Sequence, residues 1–280
     1  MAENQNCASS GSCDRSSCEG CEHKKGSGSF REELNAYSKI GKVIGVVSGK
    51  GGVGKSFVTA SLAAGMVKKG YRVGIMDADI TGPSIPKMYG IHGKAVGSEQ
   101  GIEPAVAEDG TKIMSINLLV DTEETPVVWR GPVIAGVVKQ FWTDVVWGEL
   151  DVLFVDMPPG TGDVPLTVFQ SLPVDGIVIV TSPQELVQMI VKKAYHMADM
   201  MHIPVVGIVE NYSYLKCPDC GRQITLFGES HIEETAAMLD VPLLGRIPLD
   251  PSYAAAADEG KFYTLDHPYV QDAVQAVEQF

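Results

Sequence analysis

The chain is 280 residues long, 45% hydrophobic and 20% charged, enough to bury an ordinary core as one α/β domain or two small ones. Its formal net charge of −13 sets the surface as a whole against DNA, RNA and anionic lipid, and so argues against nucleic-acid and membrane partners. The opening MAENQNCASSGSC is polar, and no stretch approaches the roughly 18 apolar residues of a membrane span, so a cytosolic protein is expected.

The first segment in chain order reads as an arm. Residues 1–35 are rich in Ser, Gly, Cys and charge and are expected to be mobile, with a folded domain over 36–280. Four of the six cysteines, Cys7, Cys13, Cys18 and Cys21, crowd this arm, and Cys217 and Cys220 form an isolated pair. In a cytosolic chain such clustering favours metal or redox chemistry over disulfides. The arm is therefore a candidate second site for a cluster or zinc, or an unstructured delivery segment.

From Ile40 onward, apolar runs alternate with helical patterns: KVIGVVSG, a helix from Gly54 to about Lys69, then YRVGIMD, TKIMSINLL, DVLFVDMP, DGIVIVTS and IPVVGIVEN. This order predicts an α/β fold, a mostly parallel sheet with helices on both faces. Ligands of such sheets gather beyond the carboxyl ends of the strands, so the residues that follow each run carry the chemistry.

The first run ends in SGKGGVGKS, where Gly49, Gly54, Lys55 and Ser56 fit G-x-x-x-x-G-K-[ST] between a predicted strand and a predicted helix, the signature of a P-loop NTPase. Backbone N–H groups of Gly49, Lys50, Gly51, Gly52, Val53 and Gly54 are placed to curl around phosphate oxygens, helped by the positive end of the following helix. Lys55 should reach the β and γ phosphates, and Ser56 should ligate Mg²⁺. The pattern does not require Lys50, which by itself reads as a solvated loop lysine.

The second run ends in MDADITGPS, with Asp77 and Asp79 together. Two carboxylates beside a triphosphate require a metal or water between them, although Asp77 also suits a turn or a helix cap. DVLFVDMPPGTGD ends its apolar run in Asp156, where a carboxylate could hold Mg²⁺ directly or through water, and continues into a flexible turn at Gly160. Asn211 closes VVGIVEN, and its amide could pair with a base edge or serve a turn. KCPDC offers two thiolates from one loop, half of a four-ligand site, so a second copy of the chain is expected to complete it on a two-fold axis.

GKGGVGKS resembles the deviant Walker A loop of the MinD, ParA and nitrogenase iron-protein class of ATPases. That resemblance implies that Lys50 crosses a dimer interface to the partner's nucleotide, acting like an arginine finger. It further implies that Asp79 orients the attacking water, that Asp77 lies near the Mg²⁺ shell, and that Gly160 senses the γ-phosphate within a switch at residues 157–163. Asn211 and Pro248, in GRIPLDP, would frame the adenine pocket. Taken as an ordered set over residues 40–260, these stretches with DADITGPSIPKMYG, WRGP (Trp129 and Arg130), VENYSY and CPDC are similar to the Mrp/ApbC family of ATP-dependent iron–sulfur cluster carriers. The family implies a slow, dimer-dependent ATPase using ATP and Mg²⁺. It also implies a homodimer that bridges a labile 4Fe-4S cluster through Cys217 and Cys220 of each subunit, taking it from cluster donors and passing it to apo iron–sulfur client proteins. The arm's C-x5-C-x4-C-x2-C spacing departs from the ferredoxin-like spacing of the eukaryotic scaffold branch.

Three other readings share the motifs. A MinD- or ParA-like positioning ATPase needs an amphipathic or basic face, which the acidic tail YVQDAVQAVEQF does not offer. A P-loop ATPase with structural zinc at CPDC and a metal-insertion ATPase differ from the carrier only in the metal.

Overall fold

The computed structural model describes residues 31–79, 82, 84–120, 131–184 and 186–280. Cys7, Cys13, Cys18 and Cys21 of the arm lie outside the described residues, as do Trp129 and Arg130. Arg31–Phe280 forms one compact unit.

In chain order the strands are β1 (Lys39–Ile40), β2 (Val43–Ser48), β3 (Val73–Asp77), β4 (Val96–Ser98), β5 (Gly101–Glu103), β6 (Ala105–Val106), β7 (Lys112–Ser115), β8 (Glu149–Leu150), β9 (Val152–Asp156), β10 (Gly176–Thr181), β11 (Val205–Glu210), β12 (Leu215–Lys216), β13 (Gln223–Ile224) and β14 (Leu243–Arg246). The helices are α1 (Lys55–Lys68), α2 (Ile85–Met88), α3 (Gly131–Thr143), α4 (Asp163–Ser171), α5 (Leu186–Met200), α6 (Ile232–Leu239), α7 (Pro251–Asp258) and α8 (Gln271–Gln279). Among the described residues the main sheet has eight strands in the order β14-β11-β10-β2-β9-β3-β7-β6, parallel throughout except for the antiparallel β6–β7 pair.

The near-continuous apolar strands follow from burial on both faces. Along β2 and β10 every residue is buried, and successive side chains alternate between two cores. Val43, Val47, Ile177 and Ile179 join one core with Phe141 of α3, Phe169 of α4 and Val191 of α5. Ile44, Val46, Val178 and Val180 join the other, against Val58, Leu62 and Met66 of α1 and Val274 of α8. Each large side chain so buried contributes about 1.5–3 kcal/mol, so both helical layers are held by the hydrophobic effect rather than by helix propensity.

Helix α1 stops where its sequence changes. Gly70 takes φ +91 and donates its N–H to the Val67 carbonyl at 2.8 Å, while Tyr71 reaches Met66 at 3.2 Å, satisfying carbonyls at the helix end. TKIMSINLL is only half strand: Ile116–Leu118 turns into a 3₁₀ helix after β7. Among the described residues β14 forms one edge of the sheet, a strand that the apolar runs of the sequence do not include.

Candidate functional site

The carboxyl ends of β2, β3, β9 and β11 converge on one cleft of about 600 Å³, a volume suited to a small organic ligand. The loop from Gly49 to Gly54 joins β2 to α1 along its edge. Gly49 is fixed by packing, since a Cβ there would lie 1.6 Å from Ile190 Cγ2 of α5. Gly54 is fixed twice over: its φ is +78, and a Cβ would lie 2.1 Å from Asn211 Nδ2. Gly51 and Gly52 face the cleft, and Val53 pins the loop into the core. The first turn of α1 has neither a side-chain cap nor an acidic residue, so its positive end is unopposed and fits an anionic phosphate.

Parallel register sets Asp77 of β3 beside Asp156 of β9. Asp156 is the most heavily bonded: its Oδ2 receives Lys55 Nζ at 2.7 Å and Ser56 Oγ at 2.6 Å, and its Oδ1 receives Thr59 Oγ1 at 2.6 Å. Lys55 also lies 3.5 Å from Asp79. Burial alone would lower the Lys55 pKa, but the fields of Asp156, Asp79 and Asp77 overcome it and hold the ammonium charged. Asp77 behaves oppositely. Complete burial and the charge of Asp156 push its carboxyl up to about 8, against the pull of Lys55. Its Oδ1 accepts the Asp79 N–H at 3.2 Å, an Asx turn, so the turn-forming reading describes its bonding, and Ser115 Oγ donates to its Oδ2 at 3.2 Å.

Asp156 and Asp79 share a single lysine, an acidic setting that suits a cation. Among the described residues no group of three or more His, Cys, Asp or Glu is arranged to hold a metal unaided. Mg²⁺ does not need such a group, because it binds through one or two protein oxygens and keeps water and phosphate for the rest. The Ser56 hydroxyl backed by Asp156 is the donor set that fits it.

Asn211 and Pro248 line the same cleft, with Tyr212 and Tyr253. Asn211 is buried, donates Nδ2 to the Val53 carbonyl at 3.0 Å and accepts the Tyr212 N–H at 2.9 Å, so its amide braces the phosphate loop. One amide hydrogen and one lone pair remain for a base. Gly160 takes φ +94 and donates its N–H to the Ser48 carbonyl at 2.8 Å. Lys50 stands apart from the cleft lining, its Nζ hydrogen-bonded to Gln184 Oε1 at the entry to α5.

The cysteine pair sits on the β12–β13 hairpin. Cys217 N–H bonds the Arg222 carbonyl and Gly221 N–H the Cys217 carbonyl, both at 2.9 Å, with Gly221 at φ +71. Backbone N–H groups of Cys220 and Asp219 point at the Cys217 sulfur and hold its thiol below the usual range, favouring the thiolate that ligates metal. Cys220 is exposed and Cys217 half-buried. Ile224 of β13, the following Leu226 and Phe227, and Leu249, which is bridged to Leu215 of β12, are exposed apolar side chains on and around this hairpin.

The sequence reading missed three residues here. Thr59 completes the Asp156 shell, Gln184 partners Lys50, and Glu210 gathers hydroxyls around the hairpin. Thr59 alone left a trace, as a polar residue four positions after Lys55 and so on the same helix face.

Among the described residues no helix is long and apolar enough to cross a membrane. Residues 39–280 match a family model described as ParA: NUBPL iron-transfer P-loop NTPase. An iron–sulfur cluster carrier protein from Clostridium perfringens is 46% identical over 83% of this chain and 85% of its own length. One of the same description from Methanocaldococcus jannaschii is 50% identical over 80% and 78%. A nucleotide-binding protein from Archaeoglobus fulgidus, solved in complex with ADP, superimposes with a TM-score of 0.72 at 45% identity, covering 80% of this chain and 88% of that one. The MinD cell division protein of Aquifex aeolicus, 19% identical with a TM-score of 0.57 over 85% and 95%, shares the fold. The chain thus belongs to the ParA family of P-loop NTPases, in its NUBPL iron-transfer branch.

Proposed function

We propose that this chain is an ATP-dependent carrier of iron–sulfur clusters, working as a homodimer. The observation that carries the proposal is a pair of cysteines, one with a lowered thiol pKa, on a hairpin whose first strand begins four residues after Asn211, the residue bracing the phosphate loop. Relatives described as iron–sulfur cluster carriers support it over most of the chain.

The cluster is cargo. Two thiolates per subunit supply half the ligands of a 4Fe-4S cluster, and the exposed apolar flank supports a second copy supplying the other half. So shallow a site suits a cluster received from donors and released to apo clients.

ATP would lie in the cleft with its phosphates on the loop from Gly49 to Gly54. Lys55 would exchange its carboxylate partners for phosphate oxygens, and Asn211 and Pro248 would flank the base. Mg²⁺ at Ser56, backed by Asp156, would neutralise phosphate charge. Asp79 would orient the attacking water, and Gly160 would trade the Ser48 carbonyl for the γ-phosphate. Lys50, held outside the cleft by Gln184, is available to a partner's nucleotide, which makes hydrolysis slow and dimer-dependent.

Anaerobic iron, sulfide and zinc analysis with an absorption spectrum and the dimer fraction, on the wild type and on Cys217→Ala/Cys220→Ala, tests this. The expected result is about four iron and four sulfide per dimer, lost with the pair. Iron surviving in the double variant would move the site to the arm cysteines. Zinc alone would identify a structural site, and dimers without metal that form only on ATP would identify a positioning ATPase.

A further inference from the structure

The end of β11 holds two parts of the molecule at once. Glu210 is buried, and its carboxylate accepts Ser213 Oγ at 2.5 Å on Oε2 and Ser230 Oγ on Oε1. Ser213 precedes β12 and Ser230 follows β13, so one side chain clasps both ends of the segment that carries Cys217 and Cys220. The Arg246 guanidinium lies 3.5 Å away and is shared with Glu233, which its Nη1 meets at 3.0 Å; its Nε makes no hydrogen bond among the described residues, which leaves the bonding of Glu210 to the serines. The next residue, Asn211, grips the phosphate loop through the Val53 carbonyl. Between Asn211 and the clasped Ser213, Tyr212 is held at φ 57, a left-handed conformation that is strained for a bulky residue and persists only where its surroundings impose it.

We infer that Glu210 is a positioning residue that couples the phosphate loop to the cysteine hairpin. A displacement of the Val53 carbonyl is felt by Asn211, crosses the strained backbone at Tyr212 and reaches the hairpin at Ser213. Glu210 holds Ser213 and Ser230 together, so the two ends cannot part and the movement is delivered to the thiols. An ionised carboxylate is a pure acceptor and each serine spends its only hydrogen on it. Alanine would therefore free Ser230 and the Ser213 hydroxyl together, leaving Ser213 tied only through its backbone N–H to the Ile247 carbonyl at 2.9 Å. The inference rests on the proposed reading that nucleotide governs the cysteine pair.

The test is site-resolved alkylation of the full chain, freed of iron, sulfide and zinc, by N-ethylmaleimide, followed peptide by peptide to separate Cys217 and Cys220 from the arm cysteines, with and without Mg²⁺ and a non-hydrolysable ATP analogue. In the wild type the analogue is expected to change the Cys217 rate by about fivefold or more. In Glu210→Ala the response should collapse to near unity, with analogue affinity within about threefold of wild type and both basal rates raised. Glu210→Gln, which can accept one hydroxyl and donate to the other, should keep most of the response. A purely structural role would lower stability and leave the ratio of rates untouched. Should Glu210→Ala fail to fold, Ser230→Ala, which frees only the downstream end, carries the same test. A wild-type response preserved in the alanine variants overturns the inference and leaves the carrier reading intact. A wild type without any response also overturns it, whereas the carrier reading fails separately, in the iron analysis.

Discussion

Asp77→Asn isolates the electrostatics of the site. Asp77 is fully buried, and its pKa is pushed from an ordinary 3.8 up to about 8 by burial first and by Asp156 second. The folded chain therefore holds this proton more tightly than the unfolded chain between about pH 4 and pH 8. Its contribution to stability is fully present below about pH 4 and is lost as pH rises through about 8. At 1.36 kcal/mol per decade, the interval from 3.8 to about 8 gives a ceiling of about 6 kcal/mol. The proton belongs to the cluster of Asp77, Asp156 and Asp79, and Lys55 compensates part of the charge, so a realised gain of about 2 kcal/mol is expected. Asparagine mimics the neutral acid and keeps an acceptor for the Asp79 N–H. The variant should match wild type near pH 4.5 and exceed it increasingly up to a plateau above about pH 8, by urea unfolding without nucleotide or Mg²⁺. A difference that stays constant across that range, or a variant less stable at high pH, would refute the reasoning.

Lys50→Ala should bind nucleotide within about threefold of wild type and lose tenfold or more in turnover at concentrations where dimers form; unchanged turnover removes its role in trans. Gly54→Ala combines the φ +78 penalty with a Cβ placed 2.1 Å from Asn211 Nδ2, so it should weaken nucleotide binding by about tenfold or more in calorimetry. Gly52→Ala, at φ +80 with nothing within 4 Å of the added Cβ, should show only the backbone penalty, and equal losses in the two variants would discount the Asn211 contact.

What was legible in the sequence was local. The phosphate loop, the strand ending in Asp156 and the other apolar runs are patterns of adjacent residues: the loop joins β2 to α1, and the runs supply strands of the main sheet. What was not legible depends on which strands become neighbours. No spacing rule connects Asn211 with Val53 or Lys50 with Gln184, since each pair meets only once the sheet has assembled. Strand β14 carries the short run LLGR with a central glycine, too weak a signal against the turn residues around it. Asp77 shows a further limit: its residue type announced charge, while its burial leaves it protonated below about pH 8.

The strand order has a consequence for how the chain is made. Strand β2, the first of the main sheet to leave the ribosome, pairs with β9 through Val43 and Leu153 and with β10 through Ile44 and Gly176. Both neighbours are synthesised more than a hundred residues later. Until they emerge, VIGVVS is an apolar segment with two unpaired edges, and closing so long a loop is slow. The nascent chain must carry its phosphate loop without its flanking strands while more than a hundred further residues are added, an interval in which an unpaired apolar segment is exposed to aggregation.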